Sequence, residues 1–274
     1  MNYFKFSTYT TQYYFPKINK ETKFLYKLYS PYNSLKAKVY WYLFRNSYCL
    51  KYFNKISKLE LPSKLLLILN IEQDKSLMSF NMGTPGEEQK VSILGYDKET
   101  QRKFFAKFSQ SKTTLNLSKN EIKILQELKD TKLVPKLYEH YQTNEYIYFK
   151  TEFIDGERIK NTKLSEDLIN LLFQISTVKI SNSTIEDTEG LQYIFSHGDF
   201  CPWNILKTKK GLQVIDWEMA SYQPVGYDLF TFIFQTNFLL EKEINLNKIE
   251  EILEAHKKWI EIYFSYYKIT DIQA

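Results

Sequence analysis

The sequence predicts an α+β protein in which most strands precede most helices. Between residues 76 and 154, short apolar runs alternate with polar residues and are separated by turn-forming residues, a pattern typical of strands. Apolar residues then recur at helical spacing over residues 164–178 and 249–263. A chain of 274 residues is long enough to bury a sizeable core in one or two domains.

Composition indicates a globular protein and a reducing compartment. Apolar residues make up 43% of the chain and charged residues 25%, proportions that exclude an intrinsically disordered class. The two cysteines, Cys49 and Cys201, form no disulfide framework. The N-terminus leads into no apolar core of signal-peptide length, and the longest aliphatic run, residues 65–69, is too short to span a bilayer. We therefore expect a cytoplasmic protein without a membrane-spanning segment.

Residues 1–75 are expected to form a basic, aromatic extension ahead of the main fold. Residues 1–70 hold 12 Lys and Arg against two Glu, a net charge of +10, whereas the rest of the chain carries −5. Eighteen aromatic residues accompany this charge. Two interpretations stay open: the extension packs on the next domain with its lysines in solvent, or its basic face attaches peripherally to anionic lipid. We expect no nucleic-acid partner, because no recognised motif for one is present.

One or two amphipathic helices are predicted in this extension. Ser34 is a good capping residue, and the helix after it would run to about residue 52. Val39, Tyr42 and Leu43, with Leu50 further along, fall on one side of that helix and would form its apolar face.

After the extension the pattern changes to strands and turns. A hairpin is predicted over residues 77–96, with Gly83, Thr84 and Gly86 in its connecting loop. Taken alone, this loop is an ordinary β-turn. The next strand contains Lys107, and a lysine among apolar strand residues usually lies at an edge or faces solvent.

A helix and two further strands follow. Ser118 opens the helical pattern, and Ser118-x-x-Glu121 has the form of a capping box, in which Glu121 satisfies backbone N–H groups. The last of these strands, predicted over residues 146–154, contains Glu152 and Phe153 near its end.

Candidate functional residues are concentrated between His197 and Asn204, a stretch of the form H-x-D-x-x-x-x-N. At this spacing Asp199 can take a proton from a hydroxyl group, while Asn204 can reach a metal ion on the same loop. A short apolar run then leads into Asp216, and carboxylate and amide oxygens suit Mg²⁺. Each residue alone could be a turn, cap or strand-end residue. Together they predict a phosphoryl-transfer site in which Asp199 is catalytic and Asn204 and Asp216 bind the metal.

These blocks resemble those of the aminoglycoside phosphotransferase and choline kinase-like superfamily, which read HGDxxxxN and IDWE. Here they stand as HGDFCPWN, residues 197–204, and IDWE, residues 215–218. The resemblance implies a bilobal, protein kinase-like fold with a small β-rich lobe over 76–155 and a larger, mainly helical lobe over 156–274. Protein kinases have Arg in place of Gly198 and Asp-Phe-Gly in place of Asp-Trp-Glu, so the departures favour a small-molecule kinase.

The resemblance also implies nucleotide contacts in the first half of the chain. Gly83, Thr84 and Gly86 would cover the nucleotide phosphates, because glycines let backbone N–H groups approach them closely. Glu152 and Phe153 would lie at the hinge that meets the adenine ring through backbone groups.

Two charged residues complete the implied site. Lys107 would pair with the α- and β-phosphates, and Glu121 would hold Lys107 in place through an ion pair rather than serve a capping box.

The implied activity is transfer of the γ-phosphate of ATP, or of GTP, with Mg²⁺. The acceptor would be a hydroxyl group of a small molecule such as a sugar, an aminoglycoside or an amino alcohol. The alternative is a catalytically inactive, kinase-like binding module. The presence of Lys107, Asp199, Asn204 and Asp216 together argues against that alternative, because degenerate relatives tend to lose such residues.

Overall fold

The structure is a computed structural model, which describes residues 3–17, 22–31, 34–45, 56–69, 75–159, 163–181, 190–238 and 246–269. The chain divides into two compact units. The first comprises Met1–Ser118 and Lys136–Phe153, and the second comprises Lys119–Pro135 and Ile154–Ala274.

The first unit is built on an antiparallel sheet that has eight strands in the described part of the chain. Along the chain these strands are β1 (Tyr3–Ser7), β2 (Gln12–Pro16), β3 (Ile56–Ser57), β4 (Ser76–Asn81), β5 (Lys90–Asp97), β6 (Arg102–Ser109), β7 (Leu137–Gln142) and β8 (Ile147–Glu152). Across the sheet their order is β3-β1-β2-β4-β5-β6-β8-β7, and neighbouring strands run antiparallel. The α-helices α1 (Leu35–Arg45) and α2 (Ser63–Leu69) belong to this unit, whereas α3 (Lys112–Glu127) begins in it and continues into the second unit after Ser118.

The strands predicted after residue 75 are all present. Strands β4 and β5 form the hairpin, β6 carries Lys107, α3 follows, and β7 and β8 complete the run. Because β6 pairs with β5 on one side and β8 on the other, it is an interior strand of the sheet.

The first residues of the chain differ from the prediction, because they form the β1–β2 hairpin rather than a helix. Strand β2 pairs with β4, so this hairpin extends the sheet. Both faces of the hairpin are buried: Tyr14 packs in a cluster with Phe80, whereas Tyr13 packs in another cluster with Phe6 and Phe15. A strand that is apolar on both faces lacks the alternation by which a half-buried strand is recognised.

Helix α1 is confirmed where it was predicted, but its packing face was predicted wrongly. The Ser34 hydroxyl accepts a hydrogen bond from the backbone N–H of Ala37 at 3.2 Å, which caps the helix. The side chains buried against the N-terminal aromatic cluster are Trp41 and Phe44. The helix is described to Arg45, and its predicted continuation lies outside the described residues.

Helix α3 begins six residues before Ser118, which overturns the capping-box alternative for Glu121. The N-terminal hydroxyl is that of Ser111, which accepts a hydrogen bond from the N–H of Thr114 at 3.2 Å. Ser118 lies inside the helix, and its hydroxyl is 2.7 Å from the hydroxyl of Ser109. Glu121 therefore lies in the helix interior, where no first-turn N–H is available to it.

The second unit combines helices with two small sheets. Its strands are β9 (Glu157–Arg158), β10 (Tyr193–Ser196), β11 (Ile205–Thr208), β12 (Gly211–Val214) and β13 (Ser221–Pro224), and its helices are α4 (Glu166–Ser176), α5 (Tyr227–Phe238) and α6 (Leu246–Tyr266). Strand β10 pairs with β13, and β11 lies between β9 and β12.

The predicted α+β class is thus confirmed, with the sheet-rich part first and the helix-rich part second. Strands, a helix and two further strands precede a mainly helical unit, which is the order predicted from the sequence. Within the described ranges, no helix is long and apolar enough to cross a membrane.

Candidate active site

The candidate catalytic loop, residues 197–204, follows β10 directly and is held by Asp228 in the first turn of α5. The Asp228 carboxylate accepts hydrogen bonds from the backbone N–H groups of His197 and Gly198, at 2.6 and 2.9 Å. Burial raises the pKa of Asp228 to about 6, although these two N–H donors act in the opposite direction. The contact fixes the start of the loop relative to α5.

Gly198 is required by the shape of this loop. Its φ is +85°, in the left-handed region that favours glycine. A Cβ atom here would lie 2.7 Å from the carbonyl carbon of Met219 and closer still to its oxygen. A side chain such as the Arg of protein kinases does not fit at this position without movement of the backbone.

His197 orients the loop and does not act as a charged group near neutral pH. Its ring is fully buried, with Nε2 3.1 Å from the carbonyl oxygen of Ile215 and Nδ1 accepting the N–H of Asp199 at 3.3 Å. A neutral ring with its proton on Nε2 satisfies both contacts. Burial lowers the pKa of His197 to about 4, against the opposing influence of Asp216. The imidazole therefore links Asp199 to Ile215, the residue before Asp216.

Asp199 and Asn204 are joined by direct hydrogen bonds. The Asn204 Nδ2 atom donates to Asp199 Oδ2 at 2.8 Å and to the Asp199 carbonyl oxygen at 3.0 Å. Both bonds use the amide nitrogen, which leaves the Asn204 amide oxygen as the atom that can face a cation. The carboxylate of Asp199 is thereby fixed in orientation on a partly exposed residue.

Cys201 lies beside Asp199 but is no nucleophile. Its Sγ atom is 3.1 Å from Asp199 Oδ1 and 2.8 Å from Gln235 Oε1, and its single proton can be donated to only one of them at a time. Burial and the neighbouring Asp199 carboxylate raise the pKa of Cys201, so it stays a thiol at physiological pH.

Asp216 has a strained backbone and lies next to Asn204. Its φ and ψ are 71° and 59°, a left-handed conformation that costs a non-glycine residue about 1–2 kcal/mol. Such outliers concentrate at functional sites. The N–H of Ile215, the preceding residue, donates to the carbonyl oxygen of Asn204 at 2.9 Å, which brings the backbone segments of the two predicted metal ligands together. The buried Trp217 anchors the turn through a hydrogen bond of 3.1 Å from Nε1 to the Val214 carbonyl oxygen.

Glu121 from α3 joins Asp216 in a cluster of three acidic side chains. One carboxylate oxygen from each of Glu121, Asp216 and Glu218 lies within 4.8 Å of the others. Helix α3 is attached to this turn by Asn120, whose Nδ2 atom donates to the carbonyl oxygens of Glu218 and Ala220, both at 2.9 Å. The predicted ion pair between Glu121 and Lys107 stays a prediction.

Lys107 is buried within the first unit. The residue is 7% exposed, and its Nζ atom lies 6.0 Å from the ring centre of Phe149 on β8. The interpretation of Lys107 as an edge or solvent-facing lysine is therefore wrong. Its phosphate-binding role stays a prediction.

The glycine-containing loop between β4 and β5 is shaped by Gly83. This residue has a φ of +70°, and a Cβ atom here would overlap the carbonyl oxygen of Lys90. The N–H of Gly83 donates to Asn81 Oδ1 at 3.0 Å, so this donor is used inside the loop. Thr84 and Gly86 are exposed at the tip. The phosphate contacts of Gly83, Thr84 and Gly86 stay a prediction.

Glu152 and Phe153 lie where the first unit ends, as the hinge prediction requires. The N–H of Glu152 donates to the carbonyl oxygen of Lys136 at 2.8 Å, so it is used within the sheet and does not serve as a donor for adenine. The ring of Phe153 packs against Phe24 with ring centres 5.6 Å apart. Their contact with a nucleotide stays a prediction.

Three supporting residues were missed in the sequence. Thr11, on the turn between β1 and β2, donates its hydroxyl to the Gly83 carbonyl oxygen at 2.7 Å. Asn120 attaches α3 to the turn after Asp216, and Gln235 contacts Cys201. These three residues belong to no motif. Glu218, in the IDWE block, is a sequence candidate for help to the metal through water, and that role stays a prediction.

Fold and loop geometry together define an α+β protein whose loop holds the residues predicted to transfer a phosphoryl group. A family model described as the phosphotransferase enzyme family matches residues 182–255, which contain Asp199, Asn204 and Asp216. This match confirms the resemblance to aminoglycoside phosphotransferases over that segment. Among solved structures, the chain is similar to an amicoumacin kinase in complex with AMP-PNP, Ca²⁺ and Ami, with 8% sequence identity, a TM-score of 0.49, and coverage of 74% of this chain and 78% of that chain. No curated protein matches the chain in sequence.

Proposed function

We propose that the protein transfers the γ-phosphoryl group of ATP, or of GTP, to a hydroxyl group of a small molecule. The acceptor class is a sugar, an aminoglycoside or an amino alcohol. The observation that carries this proposal is the 2.8 Å hydrogen bond between Asn204 and the Asp199 carboxylate. The loop that holds both residues is also hydrogen-bonded to Ile215, the residue before Asp216. In this proposal the loop presents the Asp199 carboxylate to the acceptor, and Asn204 on the loop and Asp216 beyond it supply oxygen ligands to a cation.

Asp199 would act on the acceptor. Its carboxylate, held by Asn204, would accept a hydrogen bond from the acceptor hydroxyl and take the proton as transfer proceeds. The acceptor oxygen forms a bond to the γ-phosphorus while the bond from that phosphorus to the β-phosphate oxygen breaks. The nucleoside diphosphate leaves with the electron pair of the broken bond.

The residues present fit a Mg²⁺ ion. Asn204 and Asp216 supply hard oxygen donors, and the strained backbone of Asp216 is a feature common at functional sites. Three carboxylates within 4.8 Å repel each other, so the cluster of Glu121, Asp216 and Glu218 gains stability from nearby positive charge. When bound, Mg²⁺ supplies neutralisation of the charge on the transferred phosphoryl group. In this proposal Lys107 binds the other phosphates of the nucleotide.

The test is acceptor-dependent formation of ADP or GDP with a panel of sugars, aminoglycosides and amino alcohols. The variant Asp199→Asn is assayed beside the unchanged chain, because it retains the size of the side chain and removes the proposed base. Turnover that depends on one acceptor class and is lost in the variant supports the proposal. Mg²⁺-dependent nucleotide binding without turnover in any class points to the inactive binding module. Equal nucleotide affinity with Mg²⁺ and with a chelator contradicts the metal assignment.

The proposed setting is the cytoplasm, where nucleoside triphosphates and a reduced Cys201 are both expected.

A further inference from the structure

Helix α1 has an apolar face that points away from the core of the first unit. Leu35 is 75% exposed, Val39 51%, Tyr42 59% and Leu43 50%. At 3.6 residues per turn these four side chains fall within about 100° of the helix circumference. We name them the outer face of α1.

The outer face is not the side by which α1 is held. Trp41 and Phe44 project from the opposite side and are buried in the aromatic cluster with Phe6 and Phe15. Ring centres of Phe6 and Trp41 are 5.0 Å apart, and those of Trp41 and Phe44 are 5.5 Å apart. A surface helix normally has one apolar face and one polar face, so a second apolar face directed to solvent indicates a partner.

Positive charge borders the outer face on both sides. Lys36 lies at one edge, Lys38 and Arg45 lie at the other, and all three are exposed. The helix contains no acidic residue. An apolar strip between basic side chains suits the surface of an anionic membrane, where the strip enters the acyl boundary and the basic groups contact headgroup phosphates. The Tyr42 ring is of the type that accumulates at this depth.

Other occupants fit this face less well. Two copies of the chain that met symmetrically through the outer face would bring like charges together at its borders. An 11-residue helix is about 16 Å long, whereas a stable protein interface commonly buries about 800 Å² on each partner. A lipid surface needs neither a large area nor a complementary shape.

We propose that the outer face of α1 attaches the protein peripherally to anionic lipid. The apolar strip inserts at the headgroup level, and Lys36, Lys38 and Arg45 contact the negative surface. This inference is independent of the phosphotransferase proposal, since it depends on a surface of the first unit alone.

The experiment is sedimentation of the full chain with phosphatidylcholine vesicles that contain or lack phosphatidylserine, at low and high salt. We expect binding only to the anionic vesicles at low salt, because 1 M salt shortens the screening length to about 3 Å. Each basic residue near such a surface strengthens binding about five-fold, so the triple variant K36Q/K38Q/R45Q is expected to bind about 10²-fold more weakly. The variant L35Q/L43Q is expected to lose at least about tenfold.

Matched controls separate this face from general charge and hydrophobicity. The variant K207Q/K209Q/K210Q removes the same charge from exposed lysines of the second unit. The variant L191Q/L246Q changes two leucines that are 57% and 76% exposed. Both controls are expected to bind like the unchanged chain, and all variants are expected to keep its far-UV spectrum and melting temperature.

Three results overturn the proposal. The first is equal binding to neutral and anionic vesicles, or no binding to either. The second is loss of binding in the controls as large as in the α1 variants. The third is a dimer, detected by light scattering without lipid, that L35Q/L43Q converts to a monomer, because a second copy of the chain would then cover the outer face.

Discussion

Replacement of Gly198 by Ala tests whether the geometry of the catalytic loop depends on a close approach of two backbone segments. Two costs are expected. A non-glycine residue at a φ of +85° costs about 1–2 kcal/mol. The added Cβ atom would also lie 2.7 Å from the carbonyl carbon of Met219 and 2.9 Å from its Cβ atom, and overpacking of this kind typically costs about 1–3 kcal/mol. Gly198→Ala is thus expected to lower the free energy of unfolding by about 2–5 kcal/mol.

Gly190 provides a matched control for the conformational part of this cost. Its φ is +88°, almost the same as that of Gly198, but among the described residues other than its chain neighbours a Cβ atom there would have no contact within 4 Å. Gly190→Ala should therefore show only the strain of about 1–2 kcal/mol. Chemical denaturation of both variants measures the difference, which we expect to be about 1–3 kcal/mol. Equal destabilisation of the two variants would refute the steric argument, because the contact with Met219 would then carry no cost.

Three further predictions concern the site and its supports. Asp199→Asn is expected to keep nucleotide affinity while turnover falls about 10²–10⁴-fold. Asp216→Asn should instead lose Mg²⁺-dependent nucleotide binding. Equal loss of binding in the two variants, measured by titration calorimetry, would contradict their separate roles. Thr11→Val removes the hydroxyl that holds the Gly83 loop and should raise KM for the nucleotide but not for the acceptor, while Thr143→Val, in another hairpin of the sheet, should change neither. The pKa of Asp228 is raised from 3.8 to about 6 in the folded protein, so the stability that its protonation contributes is present below pH 3.8 and is lost as pH rises through 6. The stability difference between the unchanged chain and Asp228→Asn should thus be up to about 3 kcal/mol larger at pH 4 than at pH 7, and a constant difference in denaturant titrations would contradict the shift.

The loop of the second unit could be predicted because chemistry fixes residue types at short spacing. Asp199 and Asn204 are five residues apart, and the structure joins them by a hydrogen bond between their side chains. Asp216 could also be predicted, since a short apolar run leads directly into it. The left-handed backbone of Asp216 could not be foreseen, because nothing in its residue type requires that conformation.

The N-terminal strands could not be predicted because they are buried on both faces and therefore lack the alternation of apolar and polar residues that marks a half-buried strand. Tyr13 and Tyr14 are adjacent and point to opposite faces of the sheet, yet both are buried, in two different clusters. A helix pattern was as plausible as a strand pattern for such a run of aromatic residues. The packing face of α1 was predicted wrongly for the same reason. Trp41 and Phe44 are buried because they pack in the aromatic cluster, and the spacing of aliphatic residues does not indicate this contact.

The residues that support the site were hidden for a different reason, which is distance along the chain. Asn120 bonds to the carbonyl oxygen of Glu218 across 98 positions, and Thr11 bonds to that of Gly83 across 72. An amide or hydroxyl group that reaches a backbone carbonyl has no periodicity and no required neighbour, so it leaves no pattern in the sequence. Reactive groups are constrained by the reaction, whereas these supports are constrained only by the local path of the backbone. Substitution of a support therefore tests the geometry of this particular chain, independently of the motifs by which it resembles a family.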